Sequence, residues 1–226
     1  MQTGKGQVTE LILQDGLRSA RLSCPVNLIP APGQYLLASS DSGSLLPVPI
    51  FYTHSAPQGF IVAAPVPDSW SPGTGLYLRG PLGHGFTLPV SARRVLLGAI
   101  DAAPARLRGL IPPALRQDAA VVLITDSASD DLPHDVEVQP MSALDDVLEW
   151  ADYVALDIAR EHMDGVRERL GRIDRWADGK EAQILIRTPM ACGGVADCGV
   201  CAVTTKSRWK LVCRDGPVFA WQELFE

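Results

Sequence analysis

Hydrophobic and polar positions change texture twice along the chain. Between residues 7 and 90 the apolar runs are short or alternating: Gln7-Val-Thr-Glu-Leu-Ile-Leu13, Leu17-Arg-Ser-Ala-Arg-Leu22 and Gly59-Phe-Ile-Val-Ala63. Clusters such as Ala31-Pro-Gly33 and Ser40-Asp-Ser-Gly43 separate them. Short strands at this spacing with turn residues between them predict a small antiparallel barrel. From residue 91 the runs become continuous, as in Arg93-Arg-Val-Leu-Leu97 and Ala119-Ala-Val-Val-Leu-Ile-Thr125, the pattern of strands covered on both faces of a parallel sheet. Ser142-Ala-Leu-Asp-Asp-Val-Leu-Glu-Trp150 begins like a capping box and predicts a helix. Tyr153-Val-Ala-Leu156 is a further strand, and Met163, Val166, Leu170 and Ile173 recur at helical steps. Ala182-Gln-Ile-Leu-Ile186 is the last strand before the texture changes again. The fold class expected is β followed by α/β: a barrel over 1–90, a Rossmann-like domain over 91–187, and a C-terminal module over 188–226.

That module holds the chemistry. Four of the five cysteines fall in it, as Cys192, Cys198, Cys201 and Cys213, a Cys-x5-Cys-x2-Cys-x11-Cys spacing. The plant-type [2Fe–2S] pattern is Cys-x4-Cys-x2-Cys with a distant fourth cysteine, one residue shorter in its first loop. Gly193, Gly194 and Gly199 allow the loop to wrap with backbone N–H groups turned to the sulfurs. Trp209-Lys-Leu-Val212 predicts a short strand that brings Cys213 back, and Trp209 and Trp221 are expected to pack over the module. A structural zinc is the second reading, although zinc sites usually show two Cys-x2-4-Cys knuckles and only one pair is present. A disulfide is the third. Cys24 is expected to pack as a small hydrophobe.

The chain has 226 residues and a formal net charge of −6. The excess lies in residues 91–190, with 12 basic against 18 acidic side chains, which argues against nucleic acid as a partner. No run of about 18 apolar residues predicts a membrane span. The N-terminus lacks the apolar core of a signal peptide, so the expected location is a reducing cytoplasm. His54, His84, His134 and His162 show no ligand spacing with the cysteines. His84 is expected in a surface loop, and the acidic stretch Asp126 to Asp135 as a solvated loop.

Four segments carry a resemblance over nearly the whole chain. Met190-Ala-Cys192-Gly193 after Pro189, Cys213-Arg-Asp-Gly-Pro-Val-Phe219, Gly80-Pro-Leu-Gly-His-Gly-Phe86 and Pro32-Gly-Gln-Tyr35 are similar to the electron-transfer subunit of the two-subunit, NAD-linked dihydroorotate dehydrogenases, within the ferredoxin-reductase-like superfamily. The resemblance implies a [2Fe–2S] cluster on Cys192, Cys198, Cys201 and Cys213, and a flavoprotein partner subunit in a hetero-oligomer. It also implies FAD and NAD sites, and here the chain departs. The Arg-Pro-x-Ser flavin strand is replaced by Leu46-Pro-Val-Pro-Ile-Phe51, with Val48 and Phe51 at the cation and hydroxyl positions. Val66-Pro-Asp-Ser-Trp70 stands where a Gly-x-Gly-Thr helix start is expected, and Leu76-Tyr-Leu78 after Pro72-Gly-Thr-Gly75 predicts strand. The glycine-rich phosphate turn becomes Gly98-Ala-Ile-Asp-Ala-Ala-Pro104, with Asp101 where phosphate belongs, and Leu156-Asp-Ile158 replaces a Cys-Gly-Pro strand end. NAD is therefore not expected, and FAD only if backbone groups rebuild its contacts. Three functions follow: a cluster-only electron-transfer subunit, an FAD- and NAD-linked subunit with divergent motifs, or a redox-sensing or structural metal module.

Overall fold

In the computed structural model, residues 2–14, 17–40, 46–127, 131–171, 180–206 and 208–225 are described. Six antiparallel strands close a barrel: β1 (Gln2–Gln14), β2 (Leu17–Ser23), β3 (Tyr35–Ser40), β4 (Val48–Ala56), β5 (Gly59–Val62) and β6 (Gly75–Leu82). Their order around the barrel is β1-β2-β5-β4-β3-β6, so no edge is left unpaired. The period-two alternation decides which side chains point in. On β6, Leu76 and Leu78 join Val8, Leu22, Leu36, Ile50 and Phe60 inside, while Tyr77 and Arg79 face outward. Trp70, from the connection between β5 and β6, closes the barrel core. That connection holds no helix.

The second layer structure follows as β7 (Arg94–Ala99), α1 (Ile111–Arg116), β8 (Ala120–Ile124), β9 (Val136–Gln139), α2 (Leu144–Trp150), β10 (Tyr153–Ala159), α3 (Met163–Gly171) and β11 (Glu181–Arg187). The five strands are parallel in the order β11-β10-β7-β8-β9, the doubly wound arrangement. Val95, Leu97, Tyr153 and Ala155 pack on the α1 face, and Leu96, Val154, Leu156 and Ile184 on the α2/α3 face. Continuous apolar runs were needed because both faces are covered.

The C-terminal segment contains β12 (Ala202–Thr204), β13 (Trp209–Leu211), α4 (Val212–Asp215), β14 (Val218–Ala220) and α5 (Trp221–Phe225). β12 and β13 form a hairpin, whereas β14 adds antiparallel to β11 through Ile184↔Phe219. The last strand of the segment thus belongs to the large sheet.

Two local expectations are corrected. Ser142 does not cap α2; it lies inside a 3-10 turn (Met141–Ala143) begun by Pro140, and the helix starts at Leu144 without a side-chain cap. Pro140 fixes the entry and Met141 N–H is taken by the Asp126 carboxylate at 2.9 Å, so the serine hydroxyl is not needed. Trp209 is 70% exposed and does not cover the module, whereas Trp221 is buried against Phe225. Ile173 and Asp41 to Gly43 lie outside the described residues.

Leu156 is fully buried at the centre of the sheet. Leu156→Ala should lower unfolding free energy by about 2–5 kcal/mol, read by chemical denaturation. A loss well below 1 kcal/mol would show that this face is not a packed core.

Candidate metal centre

The run Cys192 to Cys201 turns back on itself in a loop held from both sides. Gly193 and Gly194 have φ of +61° and +69°, and Ala196 and Gly199 are also left-handed at +62° and +71°. A Cβ at Gly194 would fall 2.9 Å from the Tyr35 hydroxyl and 3.2 Å from Leu37, so glycine also lets the loop lie directly on the barrel. Arg79 of β6 donates to the Gly193 carbonyl, and Arg160, after β10, donates to that of Val200. Val212 N–H donates to the Cys201 carbonyl at 3.1 Å, bringing Cys213 on α4 to the loop.

Among the groups that shift the thiols, Cys198 acts on Cys192 and Cys201 acts on Cys213. Among the described residues no three Cys, His, Asp or Glu side chains are placed to share one metal ion. The environments of the pairs differ. Cys192 Sγ accepts backbone N–H groups of Asp197, Cys198 and Val195, which bring its pKa down to about 6. Cys213 is buried, and desolvation followed by its neighbour Cys201 pushes it up to about 12. Even so, the Ala196 N–H is turned to its sulfur. Cys201 and Cys213 are buried, Cys192 is half-buried and Cys198 exposed. One edge of the centre therefore faces solvent, and Val195 and Val200 beside it are 56% and 43% exposed.

The barrel and the link before β7 grip the second half of the segment. Tyr35, fully buried, donates its hydroxyl to the Cys213 carbonyl at 2.8 Å; burial and then the neighbouring Cys213 hold its phenol far above the ordinary range. His84 N–H donates to the Gly216 carbonyl, and its Nδ1 lies 3.0 Å from that of Asp215. The glycine-rich link is thus a clamp on the cysteine segment, a role its sequence did not disclose. Cys24 stays on the barrel, partly buried against its core, with a pKa raised by desolvation.

Between barrel and sheet the cleft is filled from within. Phe51 is buried, its ring 5.8 Å from that of Tyr35, with the Arg106 guanidinium 5.5 Å above its centroid. Arg106 and Arg187 both reach the fully buried Asp157, at 3.3 and 2.7 Å. Arg187 also donates to the Ile100 carbonyl at 2.8 Å. After β7 the chain continues in 3-10 turns (Pro104–Arg106, Arg108–Leu110), pressed so close that a Cβ at Gly109 would lie 2.8 Å from the Tyr52 ring. Asp101 pairs with His162 at 2.8 Å. The buried aspartate sits where strand ends of a doubly wound sheet open to a ligand. None of these sequence-distant pairings had a local signal. The Asp126 to Asp135 stretch lies between β8 and β9, with residues 128–130 outside those described.

Residues 188–225 match the iron–sulfur cluster binding domain of dihydroorotate dehydrogenase B. The whole chain superposes on a structure reported as giving insights into flavin-based electron bifurcation via the NADH-dependent reduced ferredoxin-NADP oxidoreductase. There the TM-score is 0.73 at 16% identity, over 97% of this chain and 89% of that one. A ferredoxin reductase in carbazole 1,9a-dioxygenase matches with TM-score 0.59 and 21% identity, over 76% of this chain and 64% of its own length. A ferredoxin NADP+ reductase from Neisseria gonorrhoeae, with bound FAD and NADP, gives 0.56 at 12% identity, over 82% and 98%. At these identities the likeness is one of fold. No curated protein matches the chain in sequence. The chain has the ferredoxin-reductase-like fold. More particularly, its C-terminal segment is similar to the iron–sulfur cluster binding domain of dihydroorotate dehydrogenase B. Among the described residues no helix is long and apolar enough to cross a membrane.

In metal-free protein at pH 7, Cys192 should be mostly thiolate, where an ordinary thiol is mostly protonated. Alkylation mapped by mass spectrometry should label Cys192 first, with its rate rising through pH 6, and Cys213 last. Equal labelling of the two would contradict the asymmetry.

Proposed function

We propose that the chain is an electron-transfer subunit whose redox centre is a [2Fe–2S] cluster held by Cys192, Cys198, Cys201 and Cys213, working with a flavoprotein partner. The observation that carries this reading is the four-cysteine spacing within a segment similar to an iron–sulfur cluster binding domain. A mononuclear zinc needs four ligands around one point. A binuclear cluster needs two thiolates at each of two irons, and on this reading Cys192 with Cys198 would hold one iron and Cys201 with Cys213 the other. The inward N–H groups suit the negative charge of thiolates and of sulfides. Such a cluster supplies reversible one-electron storage. The chain's own part is to dehydrate one pair, leave the other at the surface, and offset the added charge with backbone dipoles.

The exposed edge at Cys198, beside Val195 and Val200, is the face a partner would approach. The family of the C-terminal segment supports a dihydroorotate-dehydrogenase-like catalytic subunit as that partner. FAD and NAD do not belong to this reading. Phe51 beneath Arg106 offers the flavin neither a hydroxyl nor an open stacking face, and Asp157 with its two arginines occupies the crevice. We also assign the barrel, the α/β sheet and the cysteine segment to residues 1–90, 91–187 and 188–226, with β14 of the last serving as the sheet's edge.

Anaerobically purified protein should contain two irons and two acid-labile sulfides per chain, without extractable flavin. Ser in place of any one of Cys192, Cys198, Cys201 or Cys213 should cost most of the iron, while Cys24→Ser keeps it. Stoichiometric FAD, or zinc in place of iron, would overturn the reading.

A further inference from the structure

We infer that Tyr35 and Arg79, two side chains of the barrel, are positioning residues that set the reduction potential of the metal centre. The inference rests on the [2Fe–2S] reading above. Both residues donate to carbonyls of the cysteine segment: Tyr35 to that of Cys213 at 2.8 Å, and Arg79 to that of Gly193, next to Cys192. The two carbonyls belong to opposite ends of the segment, each at or beside a different thiol pair.

A peptide carbonyl and the N–H of the next residue point in opposite directions within the peptide plane. Tying the Gly193 and Cys213 oxygens to the barrel fixes the peptides beside Cys192 and at Cys213, and keeps those lone pairs from turning to the sulfurs, where they would oppose negative charge. The amides of Val195, Asp197 and Cys198 interact with Cys192, and that of Ala196 with Cys213. The donors also act directly. Arg79 brings a positive charge and Tyr35 a hydroxyl dipole, both oriented to favour the state carrying one more electron.

The barrel geometry makes the pair rigid. Arg79 lies opposite Thr3 and Leu37 in the β1–β6–β3 ladder, and Tyr35 opens β3. The phenol is fully buried, with its ring against Phe51, so its hydroxyl has no water to turn to. This face of the barrel holds the cysteine loop.

The test is an anaerobic redox titration of the holoprotein and its Tyr35→Phe, Arg79→Met and Arg79→Lys variants, followed by electron paramagnetic resonance. At fixed ambient potential the reduced-to-oxidised ratio should fall about tenfold in Arg79→Met, equivalent to about 59 mV for one electron. It should fall about threefold in Tyr35→Phe, equivalent to about 28 mV on the same scale. Arg79→Lys, which keeps the charge, should recover most of the loss. Lys5→Met, a charge removed from the outer barrel face beside Tyr77, should leave the ratio unchanged. Iron content and melting temperature should match the unsubstituted protein throughout, which a purely structural role would not allow together with a shifted potential. Full cluster occupancy with unshifted potentials in both Arg79→Met and Tyr35→Phe would overturn the inference and leave the cluster reading standing. If Tyr35→Phe fails to fold, the Arg79→Met and Arg79→Lys pair decides it. An unsubstituted protein with no iron–sulfide signal would remove the reading on which it rests.

Discussion

Negative charge concentrated on sulfur is the constraint that the rest of this structure answers. Four thiols in 22 residues cannot ionise together inside a protein unless donors surround them. The chain supplies those donors from its backbone, through left-handed turns at Gly193, Gly194, Ala196 and Gly199 that aim successive amides inward. Such a loop has few apolar side chains with which to hold its own shape. Arg79 from the barrel and Arg160 after β10 hold that loop, while Tyr35 and His84 hold the turn from Cys213 to Gly216.

Between barrel and sheet, Phe51, Arg106, Asp157 and Arg187 bring together an aromatic face and a buried ionic triad. A buried carboxylate between two guanidiniums is weak as a source of stability but costly to break, since removing one partner strands a charge; such breaks cost about 3–5 kcal/mol. The triad therefore ties β10, β11 and the turn after β7 together, and Arg106 carries that tie to Phe51 of the barrel.

Much of this was legible in the chain. The alternating runs from Gln7 and Leu17 and the continuous runs at Arg94 and Ala120 correspond to β1, β2, β7 and β8, because side-chain period and two-sided burial leave local marks. The cysteine spacing marked the segment that matches an iron–sulfur cluster binding domain. Other features left no such mark. β14 has three residues and is defined by pairing with β11 far earlier in the chain. Ser142 looked like a cap, but Pro140 and Asp126 had already settled the helix entry. Trp209 looked like a lid and is exposed, since nothing in its own neighbourhood says which face of a short hairpin is covered. The grip of Tyr35 on Cys213 spans 178 positions, and only the closed barrel brings the two together.

The central claim is a binuclear cluster on paired thiols, and Mössbauer spectroscopy of iron-57-enriched protein addresses it most directly. Two tetrahedral ferric sites coupled to a diamagnetic ground state in the oxidised protein, with one site becoming ferrous on one-electron reduction, is the predicted result. A single isolated iron site, or no iron signal from protein that is fully folded, would contradict the account.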